Sequence, residues 1–107
     1  MKVTPDRYLT YRYAGASGDF NPIHLDDEYA RSVGLPSRIL HGLWTMAQVA
    51  RAQGDGRNLE SLSVQFRGLG VPEEEITITS KGDGPVEVEA VQGGNRLVRR
   101  GKVTFRS

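Results

Sequence analysis

The sequence predicts an α+β fold in which a curled antiparallel sheet wraps around one buried helix. Apolar residues recur at helical spacing in the first half of the chain, whereas apolar and polar residues alternate in the second half, as they do in strands. The segments that join the predicted strands are short, which favours an antiparallel meander. The chain has 107 residues, enough for one modest core and not for two. We therefore expect one domain over residues 1–107.

The first two predicted helices begin at residues that suit helix starts. Thr4 supplies a capping hydroxyl and Pro5 suits the first turn, so a helix is predicted from here to about Ala16. Asp26 is predicted to cap a second, short helix that runs to about Val33, because acidic residues follow it and suit the positive end of a helix. Asp26 thus has a structural role and is not counted as catalytic.

The third predicted helix, from His41 to about Gln53, is an apolar segment. It carries apolar side chains on more than one face, which indicates that it is largely buried. Its rise gives it a length of about 20 Å, close to that of a strand of about six or seven residues. Residues 54–56, Gly-Asp-Gly, are predicted to end it. Its predicted core residues are Leu43, Trp44, Met46 and Val49.

From Leu59 onward the apolar period changes to two, which predicts a series of strands. Residues 82–85 and 93–95 are rich in glycine and are predicted to form reversals between strands. Gly101 interrupts the last strand and predicts a bulge or bend. The inward positions are predicted to be Leu62, Val64 and Phe66, then Ile76 and Ile78, then Val86, Val88 and Ala90, followed by a last strand from about Arg96 to Phe105.

Composition argues against several classes of function. The formal net charge is +1 and the basic residues are spread along the chain, so no nucleic-acid surface is indicated. The chain has no cysteine and two histidines, which argues against a metal site, and its glycines form no nucleotide-binding fingerprint. No apolar run approaches membrane-spanning length. We expect a soluble, cytoplasmic domain with no metal, organic cofactor, nucleic acid or membrane as partner.

Residues 18–24, Gly-Asp-Phe-Asn-Pro-Ile-His, carry the strongest indication of chemistry. Asp19 and His24 would lie on different sides of a straight helix, but Pro22 keeps this segment out of helix and favours an extended Asn21. A folded-back loop can then bring the carboxylate and the imidazole together, a pair that suits moving a proton on and off water. In isolation such a string is more often an acidic turn with a surface histidine. The residues that follow it favour the catalytic alternative.

The stretch from Tyr13 to Arg51 resembles the MaoC-like dehydratases, the R-specific enoyl-thioester hydratases of the hot-dog fold. Two motifs in the same order carry the resemblance, Gly-Asp-Phe-Asn-Pro-Ile-His at residues 18–24 and Ile-Leu-His-Gly-Leu at residues 39–43. It implies a hot-dog domain in which Asp19 and His24 form a catalytic dyad. The dyad would hold the water that adds across the double bond of a 2-enoyl thioester, giving a 3-hydroxyacyl thioester. Which member takes the proton stays open, because a coupled pair can share that role.

The resemblance also implies that the Gly42 N–H binds the thioester carbonyl. Attack on the alkene moves charge onto that oxygen, and unpaired amides at a helix start stabilise it. Gly42 has no side chain, so an acyl group can approach its backbone closely. Asn21 is the second predicted substrate-site residue; it would orient His24 within the loop or serve the turn itself. His41 is expected to brace the loop rather than to react.

Two features depart from the family pattern. Members generally carry an N-terminal strand before the first helix, and this chain is expected to lack it. Several relatives have a serine on the buried helix where this chain has Ala50, so we expect either support of the aspartate from elsewhere or reduced activity. Arg38, Arg51 and Arg67 are candidates to meet carrier phosphates, although scattered arginines are usually solvated and none is assigned.

The expected substrate is an acyl thioester of coenzyme A or of acyl carrier protein. The expected assembly is a homodimer or a heterodimer with a second hot-dog chain. One alternative function is a hot-dog thioesterase, which is disfavoured because residues 41–53 contain no Asp or Glu. Another is a non-catalytic acyl-binding subunit, in which a degraded dyad would be expected.

Overall fold

The computed structural model describes residues 1–53, 59–82 and 86–105. Within these residues the chain forms three α-helices and a five-stranded antiparallel sheet. The strands are β1 Lys2–Val3, β2 Leu59–Phe66, β3 Ile76–Lys81, β4 Val86–Gln92 and β5 Asn95–Phe105. The helices are α1 Leu9–Ser17, α2 Asp27–Ser32 and α3 Gly42–Arg51, with a 3₁₀ turn at Pro22–His24. The α+β class predicted from the sequence is confirmed.

The strand order is β1-β3-β4-β5-β2, so the sheet is a meander from β3 to β5 with β2 added beside β5. The reversal between β4 and β5 is a two-residue turn at Gly93 and Gly94, whose φ angles are 54° and 81°. Positive φ at both positions matches the twist of a hairpin, and glycine adopts it without steric cost. A simple meander predicts β2 beside β3. Instead, the segment 67–75 carries the chain across the sheet, where the Arg67 N–H donates to the Leu97 carbonyl at 3.0 Å.

Strand β5 carries an extra residue relative to both of its neighbours near Arg100, and a second one relative to β4 between Arg96 and Val98. Its register shifts between Val98 and Gly101, where Arg100 has a φ of 53°. The interruption predicted at Gly101 is therefore a bulge that lies just before it. Gly101 is needed for a different reason. A Cβ atom there would lie 2.8 Å from the Val88 carbonyl oxygen, so glycine lets β4 and β5 approach closely at this point.

The core lies between the sheet and one face of α3. Trp44 and Val49 are the buried apolar residues that α3 contributes. The predicted burial of Leu43 is wrong, because this residue is 65% exposed, and Met46 is only half-buried. A single sheet covers one face of a helix and leaves the other face open. The buried cluster consists of Leu40, Trp44, Val49, Ile76, Ile78, Val86, Val88, Ala90, Leu97, Val98 and Val103.

The N-terminal segment differs from the sequence prediction in two ways. Helix α1 begins at Leu9 rather than at Pro5, with Tyr8 rather than Thr4 at its N-terminal boundary. A two-residue strand is present at Lys2–Val3 and pairs with β3, so the expected lack of an N-terminal strand is corrected. Two residues are too few to show a period-two pattern, and tertiary pairing overrides the local helix-start signal.

The second helix follows its prediction. The Asp26 carboxylate accepts a hydrogen bond from the Tyr29 N–H at 3.1 Å and so caps α2, which ends at Ser32. Residues 54–56, which are predicted to end the third helix, and residues 83–85 of the turn predicted at 82–85 lie outside the described residues. Among the residues that the structure describes, every helix is too short or too polar to cross a membrane.

Candidate active site

The loop between α1 and α2 brings Asp19 and His24 together. Helix α1 ends at Ser17, and the next residue, Gly18, has a φ of 78° that turns the chain away from the helix axis. Asn21 is extended, with a ψ of 128°, and the 3₁₀ turn Pro22–His24 follows it. The proline therefore acts as the sequence predicts, since it excludes helix before the turn and lets the chain fold back.

His24 is a buried imidazole whose proton position is determined by a main-chain carbonyl. The residue is 7% exposed, and its Nδ1 lies 2.8 Å from the Ile39 carbonyl oxygen. A carbonyl oxygen can only accept, so Nδ1 carries the hydrogen and Nε2 of the neutral ring has a free lone pair. That Nε2 lies 3.7 Å from Oδ2 of Asp19. Two hydrogen-bond acceptors therefore face each other across this gap.

Asp19 is held by its own loop and keeps its carboxylate accessible. Its Oδ1 accepts a hydrogen bond from the Asn21 N–H at 3.2 Å, and its own N–H donates to Ser17 Oγ at 3.2 Å. The side chain is 54% exposed. Within the described residues, the hydrogen bond that this carboxylate accepts comes from the Asn21 main chain.

The Asn21 side chain is part of the internal structure of the loop. Its Oδ1 accepts a hydrogen bond from the Ile23 N–H at 3.2 Å and caps the 3₁₀ turn. Its carbonyl oxygen accepts a hydrogen bond from the His24 N–H at 3.0 Å. Both bonds belong to the turn that carries His24, so the orienting role and the turn role predicted for Asn21 both stay open. Contact of Asn21 with a substrate stays a prediction.

His41 contacts both members of the pair. It is 3% exposed, and its Nε2 lies 3.1 Å from the main-chain oxygen of Asp19. Its ring stacks on the His24 ring, with centroids 3.9 Å apart and an interplanar angle of 19°, and its centroid lies 4.8 Å from that of Tyr13. Burial lowers the pKa of His41 below its ordinary value of 6.5, and this effect outweighs the opposing effect of the hydrogen bond to the Asp19 main chain. His41 is therefore uncharged at neutral pH.

Helix α3 begins at Gly42 with amides that are free to bind another molecule. The carbonyl of His41 accepts the first two hydrogen bonds of the helix. Within the described residues, no acceptor is bonded to the amides of Gly42 or Leu43. A Cβ atom on Gly42 would lie 3.4 Å from the Phe66 ring, at the short end of ordinary packing. Neither strain nor crowding requires glycine here, and the access that glycine gives to the backbone stays a prediction.

Asp19, His24 and His41 also offer three possible metal ligands, whose ligand atoms lie within 4.8 Å of one another. The near-parallel stack argues against shared coordination, because a metal binds in the plane of an imidazole and cannot lie in the planes of two stacked rings. The Nε2 of His41 is also engaged with the Asp19 carbonyl. The arrangement is suited to proton transfer rather than to metal binding.

Arg38 has a structural role. Its guanidinium donates to the Asp27 carboxylate at 3.1 Å and to the Arg7 carbonyl. The Arg38 main-chain N–H also donates to Asp27, and this bond, followed by the Arg38 charge, lowers the pKa of Asp27. These contacts occupy the guanidinium and leave little of it for a carrier phosphate. The other two arginines considered, Arg51 and Arg67, are exposed.

The sequence profile of the MaoC like domain matches residues 1–100. The chain belongs to the MaoC-like domain family. An enoyl-CoA hydratase of Mycobacterium tuberculosis is 32% identical over 102 residues, which cover 90% of this chain and 35% of that protein. The peroxisomal enoyl-CoA hydratase 2 of Arabidopsis thaliana is 35% identical over 81 residues, which cover 70% of this chain and 25% of that protein.

Solved structures share the fold of this MaoC-like domain. A MaoC-like dehydratase from Phytophthora capsici superposes with a TM-score of 0.90 at 29% identity, over 100% of this chain and 39% of that chain. The (R)-hydratase from A. caviae superposes with a TM-score of 0.82 at 20% identity, over 99% of this chain and 90% of that chain. The predicted hot-dog fold and family membership are confirmed. The chain spans about a third of the length of the mycobacterial hydratase, at 35%.

Two contributors to this MaoC-like site are missed by the sequence analysis. One is the Ile39 carbonyl that determines the His24 tautomer, and the other is the stack of His41 on His24. A main-chain acceptor has no residue signature, since every amino acid supplies one. The one available signal is position, because Ile39 and His41 both belong to the second motif.

Proposed function

We propose that this MaoC-like domain catalyses the R-specific hydration of trans-2-enoyl thioesters and, in reverse, the dehydration of 3-hydroxyacyl thioesters. One observation carries the proposal: the acceptor atoms of Asp19 and His24 stand 3.7 Å apart, and His41 links them to the free amide of Gly42. Residues 1–107 would form a single domain of this kind. The mycobacterial and plant relatives are both named enoyl-CoA hydratases, which supports the hydro-lyase class.

A water molecule suits the gap between the two acceptors. Hydrogen bonds of about 2.8 Å from one oxygen can reach two atoms 3.7 Å apart, so one water can donate to His24 Nε2 and Asp19 Oδ2 together. Its lone pairs are then left for attack on the alkene. Either acceptor can take the proton as the water oxygen bonds to C3, because both lie within hydrogen-bond reach of the same water.

The thioester oxygen gains negative charge as the C3–O bond forms and the double-bond electrons move toward the carbonyl. The amides of Gly42 and Leu43 at the N-terminus of α3 can donate to that oxygen, and the helix dipole favours the charge there. Protonation of C2 by the dyad then restores the thioester carbonyl and completes the 3-hydroxyacyl product. The water supplies both the hydroxyl group and a proton, so the reaction balances without a redox partner.

The carrier in this proposal is coenzyme A or acyl carrier protein, and the working unit is a dimer of this chain or a heterodimer with a second hot-dog chain. The apolar residues Phe20, Leu43 and Phe66 are 61%, 65% and 49% exposed. Within the described residues, the outer edge of β2 is unpaired. An open edge and exposed apolar side chains favour coverage by another subunit. A solved mycobacterial complex of two chains contains this fold. We also propose that the protein is located in the cytoplasm.

Incubation of the full protein with crotonyl-coenzyme A tests the proposal and separates it from two alternatives. Hydration removes the absorbance of the conjugated thioester without releasing thiol, and chiral chromatography should identify the R-3-hydroxybutyryl product. A hot-dog thioesterase would release free coenzyme A with the double bond intact. A non-catalytic acyl-binding subunit would bind the thioester without turnover. Either of these results, or an S product, would overturn the proposal.

A further inference from the structure

We propose that His41 is a positioning residue for the Asp19–His24 pair. Its Nε2–H holds the main chain of Asp19, and its ring stacks on the ring of His24 and holds the plane of that ring. The inference rests on the proposed hydratase function and deepens it. His41 itself takes no part in bond making. Its two contacts act on opposite sides of the gap, so together they determine how far apart the two acceptors stand.

The first contact holds the carboxylate side. The Nε2 of His41 lies 3.1 Å from the Asp19 carbonyl oxygen, and because a carbonyl only accepts, the hydrogen is on Nε2. The other hydrogen bonds of Asp19 join its N–H to Ser17, the last residue of α1, and its carboxylate to the N–H of Asn21, and both of these neighbours are exposed. Within the described residues, the bond from buried His41 is the hydrogen bond that ties the main chain of Asp19 to the start of α3.

The second contact holds the imidazole side. The bond from His24 Nδ1 to the Ile39 carbonyl fixes one atom of the ring, and a single hydrogen bond leaves a ring free to tilt about it. The stacked ring of His41, with centroids 3.9 Å apart, restricts that tilt from one face. The orientation that satisfies both contacts directs Nε2 toward Asp19 Oδ2.

His41 also joins the pair to the proposed oxyanion site. It immediately precedes Gly42, and its carbonyl accepts the first hydrogen bonds of α3. The position of His41 therefore affects the distance between the water that the pair is proposed to hold and the free amides of α3. Misplacement of reacting groups by about 1 Å can cost about 100-fold in rate. Loss of His41 should consequently appear in kcat.

The electrostatic surroundings keep His41 suited to this role. The titratable groups that face it are Tyr13 on α1, Asp19 in the loop and His24 in the 3₁₀ turn. Burial lowers the pKa of His41 and outweighs the opposing effect of the hydrogen bond to the Asp19 main chain, so the ring is neutral near pH 7. A neutral ring can stack on His24 without opposing the imidazolium that forms when His24 accepts a proton.

Three substitutions separate the two contacts. His41→Gln keeps an N–H donor and removes the ring, His41→Phe keeps the ring and removes the donor, and His41→Ala removes both. We expect kcat with crotonyl-coenzyme A to fall about 10-fold in each of the first two variants and about 100-fold in the third. KM should change by less than about twofold, because the buried ring positions the pair rather than contacting the substrate.

Gln53→Ala is the matched control. Gln53 is a buried polar residue, 6% exposed, just beyond the other end of α3, where its amide donates to the Val49 carbonyl and to Ser80. This variant should lose thermal stability as His41→Ala does, while its kcat stays within about twofold of the parent value. Equal kcat losses in the two variants would reduce His41 to a structural residue and overturn the inference. Parent-like kcat in His41→Ala, or a change confined to KM, would overturn it as well.

Nitrogen-15 NMR of the imidazole rings tests the inference without turnover. At pH 8 the parent His24 should show a protonated Nδ1 and an unprotonated Nε2, and His41→Phe should leave these shifts in place. In His41→Ala they should move toward the average of the two tautomers. Unchanged His24 shifts in His41→Ala would overturn the positioning role even in an active hydratase. If the parent protein shows the expected shifts but hydrates no thioester, the proposed function is overturned and the positioning role of His41 is not.

Discussion

The Nε2 atom of His24 lies 3.7 Å from Oδ2 of Asp19, while Nδ1 of the same ring donates to the Ile39 carbonyl at 2.8 Å. The hydrogen bond to Ile39 determines that the nitrogen facing Asp19 carries no hydrogen. With its hydrogen on Nδ1, the neutral ring presents a lone pair to the carboxylate, so neither group can satisfy the other. A molecule that donates two hydrogen bonds is stabilised by both, and water is the smallest such molecule. The proposed chemistry thus depends on a main-chain oxygen from the second motif.

Removal of either acceptor should abolish most of the turnover. Asp19→Asn and His24→Ala are each expected to lower kcat with crotonyl-coenzyme A by at least about 100-fold, a typical contribution of general acid–base catalysis. In Asp19→Asn the amide can present an N–H to His24 and cannot take up a proton. The measurement is the loss of enoyl-thioester absorbance, with Tm recorded for each variant.

Asp26→Asn serves as the control for the dyad variants. Asp26 caps α2 by accepting the Tyr29 N–H, and asparagine is as good a cap as aspartate, so kcat should stay within about twofold of the parent value. The variant changes a carboxylate close in sequence to the dyad without changing the dyad itself. Near-parent rates in both Asp19→Asn and His24→Ala would remove the dyad assignment.

A methyl group on Gly42 should hinder the approach of the substrate without destabilising the fold. Its Cβ would lie 3.4 Å from the Phe66 ring, which a folded protein tolerates, but it would stand beside the amide that receives the thioester oxygen. Gly42→Ala is therefore expected to lower kcat/KM at least about 10-fold while Tm stays the same or rises. Steady-state kinetics and thermal unfolding of one preparation provide both values.

Gly15→Ala is the matched glycine control. Gly15 lies in α1, and a Cβ atom there would meet no heavy atom within 4 Å. Alanine is favoured over glycine in a helix by up to about 1 kcal/mol, so this variant should gain stability and keep its activity. Full activity in Gly42→Ala would show that the amide at the start of α3 is not approached closely by substrate.

A charge at Leu43 should disrupt the proposed dimer without unfolding the chain. Leu43 is 65% exposed although it belongs to an apolar helix, so its cover is proposed to come from another subunit. Leu43→Asp should shift sedimentation velocity from dimer to monomer, whereas Val33→Asp, at a 53% exposed position after α2, should leave the dimer intact. A parent protein that sediments as a monomer, or a Leu43→Asp variant that remains dimeric, would contradict this assignment.

Features of this MaoC-like domain that depend on neighbouring residues could be predicted from the sequence. Pro22 excludes helix and extends Asn21, so the approach of Asp19 to His24 follows from the loop itself. The cap at Asp26 likewise depends on one turn of chain. In these places local geometry leaves few alternatives, and the sequence pattern describes it directly.

Features that depend on distant segments could not be predicted in the same way. An apolar helix has the same sequence whether its second face meets its own sheet or another subunit, so the pattern around Leu43 cannot distinguish the two. The place of β2 beside β5 depends on the path of the segment 67–75. The contact of His41 with Asp19 requires α3 to lie against the loop, and no residue spacing reports that distance.

His41 should make the stability of the fold depend on pH. Its pKa in the folded protein is lowered from 6.5, chiefly by burial, so below that value the unfolded chain binds a proton that the folded chain does not. The contribution of His41 to the free energy of unfolding should be complete above about pH 7. It should decrease as the pH drops through the pKa of the unfolded chain and level off below the pKa of the folded protein. His41→Gln has no ionisable group at this position and should lack this contribution. The amount by which its free energy of unfolding falls below that of the parent should therefore shrink as the pH is lowered from 7.5 to 5.5. Urea titrations at each pH measure the difference, and parallel curves for the two proteins would show that His41 is not held neutral by the fold.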